Sequence, residues 1–106
     1  MRAILGLMVF ALAGAAFAQT PVGDAKAAQG KLSMCEGCHG VPGYRTASPH
    51  VYRVPKLGGQ QAVYLVNALQ EYKSGARSHP TMRAIAQGLS EQDMADIAAY
   101  YSSLHK

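Results

Sequence analysis

Cys35-Glu36-Gly37-Cys38-His39 is the stretch on which the reading of this chain turns. A C-x-x-C-H pentapeptide is the covalent attachment signature of a c-type haem. The spacing has a geometric reason. Residues three apart on a helical turn share a face, so Cys35 and Cys38 can both reach the vinyl groups of one porphyrin as thioethers. The adjoining His39 then offers its imidazole to the iron. C-x-x-C taken alone has other readings. A structural zinc site needs four Cys or His ligands, usually as two separated pairs. This chain has two cysteines in all, and no closely spaced histidine pair follows them. A thioredoxin-like dithiol needs a βαβ pattern around it, and no convincing strands are read here. A disulfide closing so short a loop would stabilise little.

Upstream of the motif, Met1-Arg2 supplies a positive start, Ala3 to Ala15 is almost wholly apolar, and Ala16-Phe17-Ala18 is a small-x-small site. That pattern is a secretory signal peptide over residues 1–18, cleaved after Ala18. The apolar run is shorter than the ~20 residues that span a bilayer, so no stable membrane insertion is expected after cleavage. An exported, oxidising space follows, such as a periplasm. Residues 19–106 then form one domain, 88 residues long. A chain this short buries a thin core and needs a staple. A haem held by two thioethers and an iron ligand would be that staple. The chain has no Trp, and both of its Phe residues precede Gln19, which suits a core whose largest flat aromatic is a cofactor. Nine basic against six acidic side chains in residues 19–106 is too weak and scattered a surplus to argue for nucleic acid.

Outward from the motif the pattern is helical with long interruptions. Asp24 is a good N-cap, and Ala25, Ala28, Leu32 and Cys35 recur at helical spacing up to the haem motif. Gly40 to Gly59, punctuated by Pro42, Pro49 and Pro55, reads as loop. So long a loop in a small domain needs a function, and wrapping one edge of a haem is one. Gln60 to Ser74 is helical again, with Gly75 as C-cap. Ala76 to Leu89 reads as a second loop with a short turn near Arg83–Gln87. The last helix opens at Ser90 with Asp93 in a capping-box arrangement, and Met94, Ile97, Tyr100, Tyr101 and Leu104 form its apolar stripe. The expectation is an all-α domain of three main helices and long loops around one haem.

These residues resemble the small bacterial class I cytochromes c of the c4 and c-553 types. The marks are Gly23-Asp24, Cys35-Glu36-Gly37-Cys38-His39-Gly40, Pro55-Lys56-Leu57-Gly58-Gly59-Gln60, Tyr64, Gly75-Ala76-Arg77, Met82 and Ala98-Ala99-Tyr100-Tyr101. The resemblance covers nearly all of residues 19–106. It implies the class I cytochrome c fold, one covalent haem c, and a diffusible one-electron carrier rather than an enzyme. It further implies that Tyr100 packs against the first helix and Tyr101 turns towards the haem. One departure is visible. Where such proteins carry a glycine at the crossing of the first and last helices, this chain has Ala27 and Ala28, with the glycine displaced to Gly30. Alanine is still small, so the crossing should survive.

The second axial position separates the functions, because a filled site favours electron transfer and an exchangeable one favours gas or peroxide chemistry. Met34 directly precedes Cys35 and cannot cross to the opposite haem face. Met94 lies on the apolar stripe and reads as a core gap-filler. Met82 follows Pro80 and stands where the family places its distal methionine, so the resemblance makes His39 and Met82 the axial pair. A thioether is a soft donor that favours ferrous iron and a fairly positive potential. His79 is the competitor and would lower the potential; His50 and His105 read as solvent-exposed. Tyr52, Pro55, Leu57, Tyr64, Ile85 and Leu89 are candidates for the crevice or for ordinary core. Arg77 is a candidate partner for a propionate or a solvated surface group. Arg45, Arg53, Lys56 and Arg83 fall in the two loops and would frame the haem edge for an acidic partner, or else form no patch. The leading reading is a periplasmic electron carrier that meets redox partner proteins. The alternatives are a sensor or peroxidase-like haem protein with an exchangeable sixth ligand, and an electron-transfer subunit of a larger redox complex.

Overall fold

Asp24 opens the first helix as expected, its side chain accepting the Lys26 N–H at 2.9 Å. The computed structural model describes residues 21–47 and 51–104. The export signal read over residues 1–18 and its cleavage point lie outside the described residues, as do Pro49, His50 and His105. Helix α1 spans Ala25–Ala28 and passes through a turn of 3-10 helix at Gln29–Lys31 into α2, Ser33–His39. The expected continuous first helix is therefore broken, with Leu32 as its joint. Helix α3 spans Ala62–Ser74, α4 Pro80–Gln87 and α5 Glu91–Ser103. The core cluster is Ala28, Leu32, Cys35, Leu65, Val66, Ile97, Ala98 and Tyr101, drawn from α1, α2, α3 and α5 with Leu32 between the first two, and Leu57, Ala62, Leu89 and Tyr100 pack against it.

Helix ends follow local chemistry. Gly75 closes α3 in the left-handed conformation, φ 87°, which costs glycine little. Ser90 and Asp93 form the reciprocal capping box, Asp93 N–H to Ser90 Oγ at 3.0 Å and Ser90 N–H to Asp93 Oδ2 at 2.9 Å. The long apolar stripe of α5 holds at Met94, Ile97 and Tyr101, all buried. Leu104 is instead the C-cap and is exposed, because the helix stops at Ser103.

Two loop expectations are corrected. The segment after Gly75 contains a helix of two turns, Pro80–Gln87, rather than a short turn at its end. Pro80 is at the first helical position, where its missing N–H would have had no intrahelical partner anyway. The Gly40–Gly59 loop contains a small antiparallel ladder, β1 (Arg45–Thr46) and β2 (Tyr52–Arg53), with Arg45 opposite Arg53 and Thr46 opposite Tyr52. Two residues a strand leave no alternating pattern to read in a sequence.

The crossing of α1 on α5 survives, and the chain is tight against α5 at the residue before the cap. A Cβ at Gly23 would overlap the Ala95 carbonyl oxygen, and Ala28 is fully buried. Asp96 of α5 is a buried charge, 2% exposed. Its carboxylate accepts the Asp24 N–H at 2.9 Å, Lys31 Nζ at 2.7 Å and Gln92 Nε2 at 2.8 Å. Lys31 also reaches Asp93 at 2.8 Å, so one cation joins the first helical segment to two turns of α5.

Candidate functional site

The last turns of α2 deliver Cys35, Cys38 and His39, and the first turn of α4 delivers Met82. All four line one cavity of about 430 Å³. Leu65, Ala68 and Leu69 of α3, Ile85 of α4 and Ile97 of α5 give it mainly apolar walls. This size falls in the ~300–1,000 Å³ range of small-molecule and cofactor sites. Of the crevice candidates, Tyr52, Pro55, Leu57, Tyr64 and Ile85 line it; Leu89 packs on the core instead. Met94 is fully buried and stands apart from the cavity. Met34 is exposed and still contributes to the lining.

The hydrogen bonds orient the polar groups. His39 Nδ1 lies 2.7 Å from the Pro55 carbonyl oxygen. A carbonyl can only accept, so Nδ1 carries the proton and Nε2 keeps its lone pair. A ring nitrogen N–H donated to a backbone carbonyl is the usual support of a metal-ligating imidazole. The Tyr101 hydroxyl donates to Glu36 Oε1 at 2.9 Å, tying α5 to the middle of the C-x-x-C-H stretch. Burial first, then this bond, pushes the Tyr101 phenol well up, so it stays a donor. Tyr101 lines the cavity, and Tyr100 meets it edge-on with centroids 5.1 Å apart. Arg77 pairs with Glu71 at 3.1 Å and lies over the Tyr64 and Tyr72 rings, at 5.8 and 5.4 Å, on the cavity lining.

Both thiols are free. Burial, followed by the neighbouring Glu36 carboxylate, pushes the Cys35 thiol up. That is opposite to the lowered value a reactive dithiol needs. Among the described residues, no group of three or more His, Cys, Asp or Glu is placed to hold a metal ion by itself. The donor set fits a c-type haem better: two thiols on one helix, an imidazole with a bare Nε2, a thioether from another helix, and apolar walls.

His79, the competing ligand, also lines the cavity, but its Nδ1 accepts the Met82 N–H at 3.2 Å. Sequence reading missed this cap; its signal was a polar side chain directly before a proline opening a helix.

Comparison with known proteins gives the family. The Cytochrome c family profile matches residues 25–105. Cytochrome c-554(548) of Halomonas halodenitrificans is 45% identical over 84 residues, 76% of this chain and 96% of that protein. Cytochrome c4 of Pseudomonas aeruginosa is 40% identical over 97 residues, 92% of this chain and 45% of that protein. The crystal structure of reduced recombinant cytochrome c4 from Pseudomonas stutzeri superposes with a TM-score of 0.63 at 41% identity, over 79% of this chain and 47% of that one. The chain therefore spans about half the length of the c4 relatives. It belongs to the cytochrome c family and has the class I cytochrome c fold. Membership implies a covalently bound haem c, and Cys35 and Cys38 fit its attachment motif.

Proposed function

We propose that this chain is a periplasmic one-electron carrier rather than an enzyme, with Cys35 and Cys38 holding one haem c as thioethers and His39 and Met82 as axial ligands. The observation that carries the reading is the convergence of both thiols, an imidazole tautomerically set by Pro55, and the Met82 thioether on one apolar cavity. When bound, haem c supplies one-electron cycling between ferric and ferrous iron. The chain's part is to hold the group rigidly and keep water from it. Pro55 keeps the His39 lone pair available, α4 holds the thioether at the wall, and the α3 and α5 side chains provide the dry lining. A soft sulfur donor in an apolar site favours the reduced state.

Export rests on the residue 1–18 pattern, with cleavage after Ala18 and a mature domain at 19–106. Among the described residues, no helix is long and apolar enough to cross a membrane. The intact mass of protein exported from a host with haem-attachment machinery is expected to correspond to a start at Gln19 plus one haem that survives acid–acetone extraction. A mass retaining Met1 to Ala18, or lacking the haem increment, rejects the proposal. Rapid, tight cyanide binding to the folded ferric protein would instead favour the sensor or peroxidase-like alternative.

The partner is proposed to be a redox protein with an acidic face. Arg53 and Lys56 line the cavity, Arg45 stands opposite Arg53 in the ladder, and Arg83 is exposed on α4. Among the described residues, the ion-paired cations are Lys31 and Arg77. Like charges facing each other across a ladder are unfavourable without a counter-charge. The rate of reduction by an anionic donor should fall roughly tenfold or more from low to high salt. A Lys56→Glu/Arg83→Glu double variant should blunt that fall. A flat salt profile removes the docking proposal.

A further inference from the structure

His79 sits at the N-cap of α4 in extended backbone, φ −164° and ψ 112°, directly before Pro80. The first turn of a helix leaves backbone N–H groups without intrahelical partners. Pro80 has none, and the Arg83 N–H is taken by the His79 carbonyl at 2.9 Å. The Met82 N–H goes to His79 Nδ1 at 3.2 Å. Ser, Thr, Asp and Asn are the usual caps. The histidine ring also meets aromatic rings of two other elements. The Tyr52 ring of β2 is 4.6 Å from it and the Tyr72 ring of α3 meets it edge-on at 6.3 Å. In this role Nδ1 is an acceptor and Nε2 carries the proton, so the neutral ring has no second lone pair for a metal.

We propose that His79 is the positioning residue for Met82, its imidazole clamping the Met82 backbone N–H against β2 and α3 so that the thioether stays at the cavity wall. The inference rests on the proposed Met82 ligation and deepens it. It turns the rival ligand into the ligand's support.

Three substitutions separate the two halves of the clamp in the holoprotein. His79→Asn keeps a cap and loses the ring; His79→Phe keeps the ring and loses the cap; His79→Ala loses both. His79→Phe and His79→Ala are expected to weaken the ferric sulfur-to-iron charge-transfer absorption and to tighten binding of added imidazole roughly fivefold, the scale of a lost cap. His79→Asn should recover most but not all of both readings, because the cap returns without the ring contacts to Tyr52 and Tyr72. The inference is overturned if His79→Phe matches the parent, or if His79→Asn falls as far as His79→Phe. Met82→Ala distinguishes the two levels. If it keeps the absorption, the ligation reading fails and the clamp with it. If it abolishes the absorption while His79→Phe does nothing, the clamp alone fails. Amide exchange on the parent holoprotein needs no variant to fold. The Met82 N–H should be protected while the neighbouring Thr81 N–H exchanges freely, and a freely exchanging Met82 N–H overturns the clamp.

Discussion

Met82→Ala is expected to abolish the sulfur-to-iron charge-transfer absorption of the ferric protein, open the site to added ligands and lower the reduction potential. Two observations argue for so large an effect. Met82 is the methionine that α4 presents to the cavity, and Met94 is sealed in the core away from it. Removing a soft sulfur donor withdraws the group that favours ferrous iron. Met94→Leu should leave the absorption intact and cost less than ~1.5 kcal/mol of stability, as volume-conserving core swaps do. Absorption spectra of both ferric variants, followed by a redox titration, check this. A Met82→Ala protein that keeps the band while His79→Ala loses it would falsify the ligand assignment.

The second large effect lies at the α1–α5 junction. Lys31, with the Ser90 N–H and hydroxyl next, holds the Asp93 carboxyl at about 2, and Lys31, followed by the Asp24 N–H and Gln92, holds Asp96 at about 2, both below the ordinary 3.8. The folded state therefore binds these protons less readily than the unfolded chain. The stabilisation is fully present above about pH 4 and is lost as pH falls through about 2. The same contacts raise the Lys31 ammonium above 10.5, so its share persists to high pH and is lost as pH rises past that raised value. Lys31→Met should flatten the decline of the holoprotein's thermal midpoint between pH 4 and pH 2. Asp96→Leu leaves the Asp24 N–H, Lys31 and Gln92 without their shared acceptor at a buried position. It should lower the midpoint at neutral pH by an amount on the order of 10 °C. Equal midpoints for parent and Asp96→Leu would show that the carboxylate does not join α1 to α5.

Much of the site was legible because covalent and local chemistry is written in adjacent residues. Cys35-Glu36-Gly37-Cys38-His39 announces its cofactor by spacing within one helical turn. Asp24, Gly75 and the Ser90–Asp93 pair act on backbone groups no more than three residues away, so their caps were readable and are present. Of helix α4 only the second half, the turn near Arg83–Gln87, was readable. Its start was missed because the cap that makes Pro80 a helix start is a histidine, which propensity does not favour.

The amino-acid sequence by itself determined the attachment pentapeptide, the caps at Asp24, Gly75 and Ser90, and the apolar stripe of α5, since each depends on neighbours along the chain. Tertiary structure decided the rest. It brought Pro55 to His39 and Tyr101 to Glu36, buried Asp96 beneath Lys31, and placed His79 between Tyr52 and Tyr72. These contacts join residues many positions apart. Which of several polar side chains is buried, and which nitrogen of a histidine keeps its lone pair, is set by the packing of distant elements, and no pattern of spacing along one chain encodes it.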